Sequence, residues 1–447
     1  MEDKKVKKMM KVVSLVLVIL MAVGVFAACG QPASEGTGAE TSTETQQGSE
    51  TAGATEGDIV LNYRTFRTDD EEIMKELIAK FESENPGIKI NYSAERDETA
   101  YYQKLQADMV AGEDVDVFDA HPRADYVTMI RSGNVLDISD LEFNQNYDPG
   151  VASVSSVDGK NYGYIPAVNL LCVFYNKDLF EEMGVEVPTT YEELKTVVAK
   201  SKEAGYGGIA YPGATVVGNW MANTLLNESM QTEKMHDEYW TKIGNGELTD
   251  FNTVPEARTA FDTLAAINKD GLLYDNSAGT QLDQTLALFQ QGQASMMFMG
   301  TWELLNLDTN YAGMNIGLFT MPTLEDSTYT HGEPGQIISI YSKSKNLDAA
   351  KKWVEFLASP ENAQIYTDFA RTTPTIEGVE MTFEGAELLD ELKQKGITTQ
   401  PLNDAENYDI WGNIVVNMYT ELLFGSGDVD AQLAEVDRLL KEADFAG

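Results

Sequence analysis

The stretch 158-DGKNYGYIPAVNLLCVFYNKDLFEEMGVEVPTTYEE-193 decides the fold. Asp158-Gly159 is a turn signal, and Tyr162, Tyr164 and Ile165 suit an extended segment stopped at Pro166. Val168 to Tyr175 is short, apolar apart from Asn169, and bounded by polar residues, which is how a buried strand reads. A short helical segment follows around Leu179–Met183, closed by Gly184. After Pro188, Thr190 and Glu193 have capping-box spacing: the hydroxyl serves an orphan amide of the first turn while the carboxylate serves the cap's own N–H. That places a helix from Thr190 to near Gly205. Strand, crossover, strand predicts an α/β protein.

The same grammar extends outward. Ile59–Phe66 reads as a strand, Thr68 with Glu71 as a second capping box, and Ile73, Leu77, Ile78 and Phe81 as one helical face. Asn85-Pro86-Gly87 stops that helix, and Ile88–Tyr92 is the next strand. This βαβ opening puts Arg64–Asp70 at the carboxyl end of a strand, where open α/β sheets bind ligands. A helix over Tyr101–Ala111 and a strand over Val115–Ala120 then bring Asp119, His121 and Arg123 to the same edge. Downstream, Thr253 with Glu256 is expected to cap a helix through Phe261, and Ala294–Met299 to form a strand turned by Gly300-Thr301-Trp302. Strands over Ile316–Met321 and Ile337–Ser342 and helices over Ala349–Leu357, Trp411–Leu423 and Val429–Ala443 complete the pattern.

Composition narrows the function. The chain has 447 residues, 43% hydrophobic and 23% charged, which suits a soluble globule of two or three domains. Its net charge is −40, and residues 1–28 hold five lysines against two acids, so the remainder is more acidic still. Such a surface repels phosphate backbones, so no nucleic-acid partner is expected. Lys4 to Lys11, the apolar run Val12–Phe26 and Ala27-Ala28-Cys29 read as an export signal with its processing site. The apolar run falls short of the roughly 18 residues a membrane span wants. Apart from Pro32, residues 30–57 are Ser, Thr, Glu, Gly, Ala and Gln with no aromatic, which reads as a disordered tether. Two cysteines, Cys29 and Cys172, and three histidines make no disulfide framework and no zinc site. No P-loop, HExxH or Gly-x-Ser-x-Gly is present, so no catalytic residue, cofactor or metal is expected.

Three stretches carry a family resemblance: 158–193, 288-LFQQGQASMMFMGTWEL-304 and 345-KNLDAAKKWVEFLASPENAQIYT-367. They resemble the extracellular solute-binding proteins of ABC transporters, the sugar-binding, maltose-binding-protein-like family, and the likeness spans nearly all of Asp58 to Gly447. Residues 1–29 resemble a bacterial lipoprotein signal in which Cys29 becomes the lipidated first residue. The resemblance implies a two-lobed, type II periplasmic-binding-protein-like fold with three hinge crossings, near Pro166, Met321 and Pro374. Lobe 1 would take 58–167 and 322–371, and lobe 2 would take 168–321 and 373–447. It further implies a monomer, tethered to the outer face of the membrane by its lipid alone, that delivers a carbohydrate to a separately encoded permease.

A sugar offers apolar CH faces and a rim of hydroxyls, so its site stacks aromatic rings and aims planar polar groups. Five tryptophans are present. Trp302 and Trp411 match cleft aromatics of the family, and Trp220 follows a glycine before a helix in a similar setting. Trp353 sits on the apolar face of a helix and reads as core; Trp240 has no supporting context. Asn169, polar inside an apolar strand, matches a family contact and equally suits a hinge backbone bond. The loop after the third strand resembles one that carries an Asp–Arg pair, with Pro122 in place of the acid, leaving Asp119 beside Arg123. Arg67 and Asp69 after the first strand are further candidates, then Gly335-Gln336 and Arg371. Two other readings stay open: the same fold taking a cation, peptide or polyamine, and an exported carbohydrate-active enzyme.

Overall fold

The computed structural model describes residues 57–112, 115–214, 220–230, 242, 246–306, 311–325, 329–393, 397–398 and 418–442. The export segment, Cys29, the tether to residue 56, Gly218-Asn219, Trp240 and Trp411 lie outside them.

The chain opens with β1 (Ile59–Thr65), whose alternate residues Leu61, Tyr63 and Thr65 are buried. Helix α1 (Glu71–Glu84) buries Ile73, Met74, Leu77, Ile78 and Phe81. β2 (Ile88–Ala94) returns parallel to β1, with Ile59 opposite Ile88. Helix α2 (Glu98–Ala111) starts on the carboxylate of Asp97 and stops at Gly112, whose φ of 70° is easy only for a residue without Cβ. β3 (Val117–Ala120) pairs parallel with β1, and α3 (Ala124–Arg131) follows. The capping box expected of Thr68 and Glu71 does not form. Asp70 holds the cap position, and Arg67 and Tyr366 draw its carboxylate away from the helix amides.

β4 (Ala167–Asn176) is ten residues long and buried throughout. Its period of two sends Leu171, Val173 and Tyr175 into one apolar cluster and Leu170, Cys172 and Phe174 into another, so both faces are covered. Next come α4 (Lys177–Met183) and α5 (Tyr191–Ala204). The Thr190/Glu193 box forms as read: the Glu193 amide donates to Thr190 Oγ1 at 3.3 Å and the Thr190 amide to Glu193 Oε2 at 3.2 Å. β5 (Ile209–Ala210), α6 (Trp220–Met230) and α7 (Pro255–Lys269) follow. Thr253 does not cap α7; the helix opens with Pro255 in its first turn, and the Thr253 hydroxyl donates to the Asp250 carbonyl at 2.6 Å. α8 (Leu282–Gln290), β6 (Met296–Gly300), β7 (Ile316–Phe319) and β8 (Thr330–Pro334) complete this passage.

The chain then returns to the first sheet as β9 (Ile337–Ile340), antiparallel to β3, giving the order β9-β3-β1-β2. α9 (Leu347–Leu357) buries Trp353 completely, stacked on Phe356 and edge-on to Phe81, as its helical face predicts. After α10 (Pro360–Ala370), β10 (Thr373–Pro374) pairs with the first residues of β4. α11 (Ala386–Lys393) and α12 (Val429–Glu442) join the second body. β4 is the spine of the second sheet: β6, β7, β8 and β10 all pair with it, antiparallel.

Two expected boundaries move. The crossing placed near Met321 lies at Pro334–Ile337, because β7 and β8 both pair with β4 and so β8, to Pro334, belongs to the second body. β8, THGEP, escapes a pattern reading because Gly and Pro interrupt it; Pro334 is tolerated at the strand's end. The last crossing also comes later than Thr373. Thr375 and Ile376 still bond Asp148 and Tyr147, and Glu380 exchanges hydrogen bonds with Gln364 of α10, before Leu388 and Leu389 enter the second core. No helix of the described residues is long and apolar enough to cross a membrane.

Candidate functional site

At the carboxyl end of β1 the chain turns through Arg67, whose amide donates to Thr65 Oγ1 at 2.9 Å. The guanidinium donates to both oxygens of Asp70, from Nη2 at 2.9 Å and from Nε at 3.2 Å. The Tyr366 hydroxyl of α10 donates to Asp70 Oδ2 at 2.6 Å. A carboxylate with 1% exposure is sustainable only when paired and hydrogen-bonded in this way. The fork fixes the plane of Arg67 and leaves Nη1 outside it.

β4 supplies Asn169, 7% exposed, whose side-chain amide makes no hydrogen bond within the protein among the described residues. The link from β8 to β9 runs past both groups. A Cβ at Gly335 would lie 3.5 Å from Asn169 Nδ2 and 3.9 Å from Arg67 Nη1, so the glycine keeps the space between them open. Gln336 follows, 2% exposed.

The end of β6 supplies the aromatic side. Its ladder with β4 finishes at Leu171–Gly300, and the next β4 amide, Leu170, donates to the buried Thr301 Oγ1 at 2.9 Å. That bond anchors the turn on which Trp302 sits. A Cβ at Gly300 would overlap the Trp302 ring, so the indole lies where only glycine lets it lie. Trp220 packs edge-on against it, centroids 4.8 Å apart at 63°. Both indoles are half-buried.

Arg67 and Tyr366 from the first body, Asn169, Trp302 and Leu305 from the second, and Gln336 on the link between them line one cleft. The arrangement pairs an apolar ring face with fixed donors and an uncommitted amide, which suits a neutral polyhydroxylated molecule better than an ion.

The other expected residues fall elsewhere. Asp119 is fully buried inside the first body: Oδ1 accepts from the Tyr63 hydroxyl at 2.8 Å, Oδ2 accepts from the Thr65 hydroxyl, and its amide donates to Tyr101 Oη at 3.1 Å. All four residues of β3 are buried, and these Asp119 bonds go to β1 and α2. Burial pushes the Asp119 carboxyl up to about 7, against the two donors that hold it down. Arg123 is half exposed and pairs with Glu98 at 3.6 Å. His121 stacks on Phe66 at 4.3 Å, and burial lowers its pKa while Glu98 opposes that. Asp69 is exposed, and it is Asp70 that pairs with Arg67. Arg371, left-handed at φ 50°, ends α10 and donates to the Leu304 carbonyl at 3.4 Å. Trp411 lies outside the described residues. Asp70 and Tyr366 were not singled out by sequence: Asp70 stands in an acidic run where no member is distinctive, and Tyr366 reads as an ordinary helical residue.

Residues 67–364 match the family model described as bacterial extracellular solute-binding protein. The chain belongs to that family. The solute-binding protein is 23% identical over 331 residues to the multiple sugar-binding protein of Streptococcus mutans serotype c, covering 72% of this chain and 77% of that one. It is 24% identical over 382 residues to the maltooligosaccharide ABC transporter solute-binding lipoprotein of Streptococcus pneumoniae, covering 82% and 85%. Among solved structures it resembles apo RafE from Streptococcus pneumoniae, with TM-score 0.69, 22% identity and coverage of 87% and 98%. A chitin oligosaccharide binding protein matches at TM-score 0.71 and 21% identity, covering 88% and 100%. The fold is therefore the two-lobed α/β fold of type II periplasmic binding proteins, and these relatives are named for binding rather than catalysis.

Proposed function

We propose that this solute-binding protein captures a neutral carbohydrate, of oligosaccharide size, in the cleft and delivers it to an ABC permease. One observation carries the reading: the half-buried Trp302, backed by Trp220, lines the same cleft as the amide of Asn169 and the fixed guanidinium of Arg67. Rings stack on the sugar's CH faces while the polar heads meet its hydroxyls. Lobes 1 and 2 hinge about their interlobe segments, and a ligand touching both favours the closed form because only that form offers both sets of contacts. The names of the relatives support the same reading: raffinose and maltooligosaccharides are what proteins of this family are described with. Cys29 carries the lipid that holds the monomer at the outer membrane face, and Trp411 adds a further aromatic by resemblance.

The test is a thermal-shift panel of maltooligosaccharides, raffinose, stachyose and chitooligosaccharides at millimolar concentration. One class raises the melting temperature, since a ligand at 100 times its Kd stabilises by about 2.7 kcal/mol. Its affinity barely responds to added salt, whereas a cation's would fall. A flat panel overturns the carbohydrate assignment.

A further inference from the structure

Gln336 sits on the short link between the two sheets, one residue past the glycine that separates Asn169 from Arg67. It is 2% exposed and lines the cleft, yet its Oε1 is shielded and has no hydrogen-bond partner among the described residues. Native proteins leave few buried acceptors unpaired, because such a group forfeits its hydration and gets nothing back. None of the neighbouring polar groups among the described residues serves it. Arg67 gives two donors to Asp70, Tyr366 gives its hydroxyl to the same carboxylate, and Asn169 makes no bond to Gln336. Ile337, next along, is committed to β3. A ligand in the cleft would bring the donor that this oxygen lacks.

We propose that Gln336 sets ligand selectivity: its buried amide oxygen takes a hydrogen bond from one hydroxyl of the bound sugar, at the floor of the cleft. The inference rests on the carbohydrate reading and adds to it a required ligand group. An acceptor at that place admits a hydroxyl or N–H donor. It rejects a ring position carrying hydrogen, an ether or a carboxylate, each of which leaves the oxygen unpaired or faces it with another acceptor. Selectivity of this kind is steep because the loss falls on a desolvated group.

The test takes the best-binding sugar of the panel and measures Kd for the wild type, Gln336→Met and Gln336→Asn. Methionine keeps length without hydrogen bonding; asparagine withdraws the amide by one methylene and preserves its chemistry. Both variants lose about tenfold or more in affinity, while the melting temperature without sugar stays level or rises, because an unpaired buried acceptor has been removed or freed. Among monodeoxy versions of the sugar, one binds the wild type about tenfold more weakly and shows no further loss on Gln336→Met, so the two changes are not additive. Equal affinity of the wild type and both variants, as when a buried water completes the amide, overturns the inference and leaves the carbohydrate reading standing. A lowered melting temperature with unchanged affinity assigns Gln336 to structure alone. No binding by the wild type to any sugar overturns both.

Discussion

Gly300 and Trp302 act as one unit. Because a methyl group at residue 300 would occupy the space of the indole, Gly300→Ala is expected to displace the ring without touching ligand. Its affinity loss should approach that of Trp302→Ala, about 1–3 kcal/mol for a buried aromatic anchor, and tryptophan fluorescence should shift in the same variant. Asp119 gives a second prediction. Its folded pKa, about 7, lies above the ordinary carboxyl value, so between about pH 4 and 7 the folded state binds more protons than the unfolded one. The stability due to this group is therefore full below about pH 4 and is lost as pH rises through 7. Melting temperature against pH should fall over that window in the wild type and flatten in Asp119→Asn. Sequence placed Asp119 at the right sheet edge but gave no sign of its direction; Tyr63 and Thr65, which claim its oxygens, are remote in sequence. Trp302, Asn169 and Arg67 all line the cleft; the family resemblance pointed to Trp302 and, with its polarity inside an apolar strand, to Asn169, while Arg67 stood out as a cation just past a strand.

At the scale of elements, β4 and α5 follow from sequence because their determinants are local: an uninterrupted apolar run, and a hydroxyl–carboxylate pair at fixed spacing. β8 does not, since it is a strand by virtue of its partner. Gly332, Glu333 and Pro334 lie against Leu170, Asn169 and Val168, and that pairing outweighs weak intrinsic preference. The bond from the Leu170 amide to Thr301 Oγ1 joins β4 to the turn carrying Trp302. Thr301→Val keeps the shape and removes the acceptor. It should cost about 1–3 kcal/mol in chemical unfolding. A variant as stable as the wild type would show that the amide finds another partner.

At the scale of the molecule, the two-lobed fold follows from the resemblance, whereas two of the places where the chain passes between its sheets lie later than the sequence suggests. Pro322 reads as a stop, and nothing local reveals that the chain pairs with β4 once more before leaving. The net charge of −40 bears on attachment. An acidic surface is repelled by anionic headgroups, so electrostatics cannot substitute for a lipid chain. Cys29→Ser is expected to move the protein from the membrane fraction to the medium or the soluble envelope fraction. Retention of that variant in membranes would refute attachment through Cys29.

Cys172 has no exposed surface on β4, and burial raises its thiol pKa, so it is inert while that strand stays in its sheet. The sequence has two cysteines, and acylation of Cys29 would leave Cys172 as the single free thiol. A thiol-specific dye then becomes a clock built into the natural chain: each labelling event records one opening of the second lobe. The slowing of that clock by a sugar measures, without any engineered probe, how firmly the ligand holds the lobe shut against unravelling.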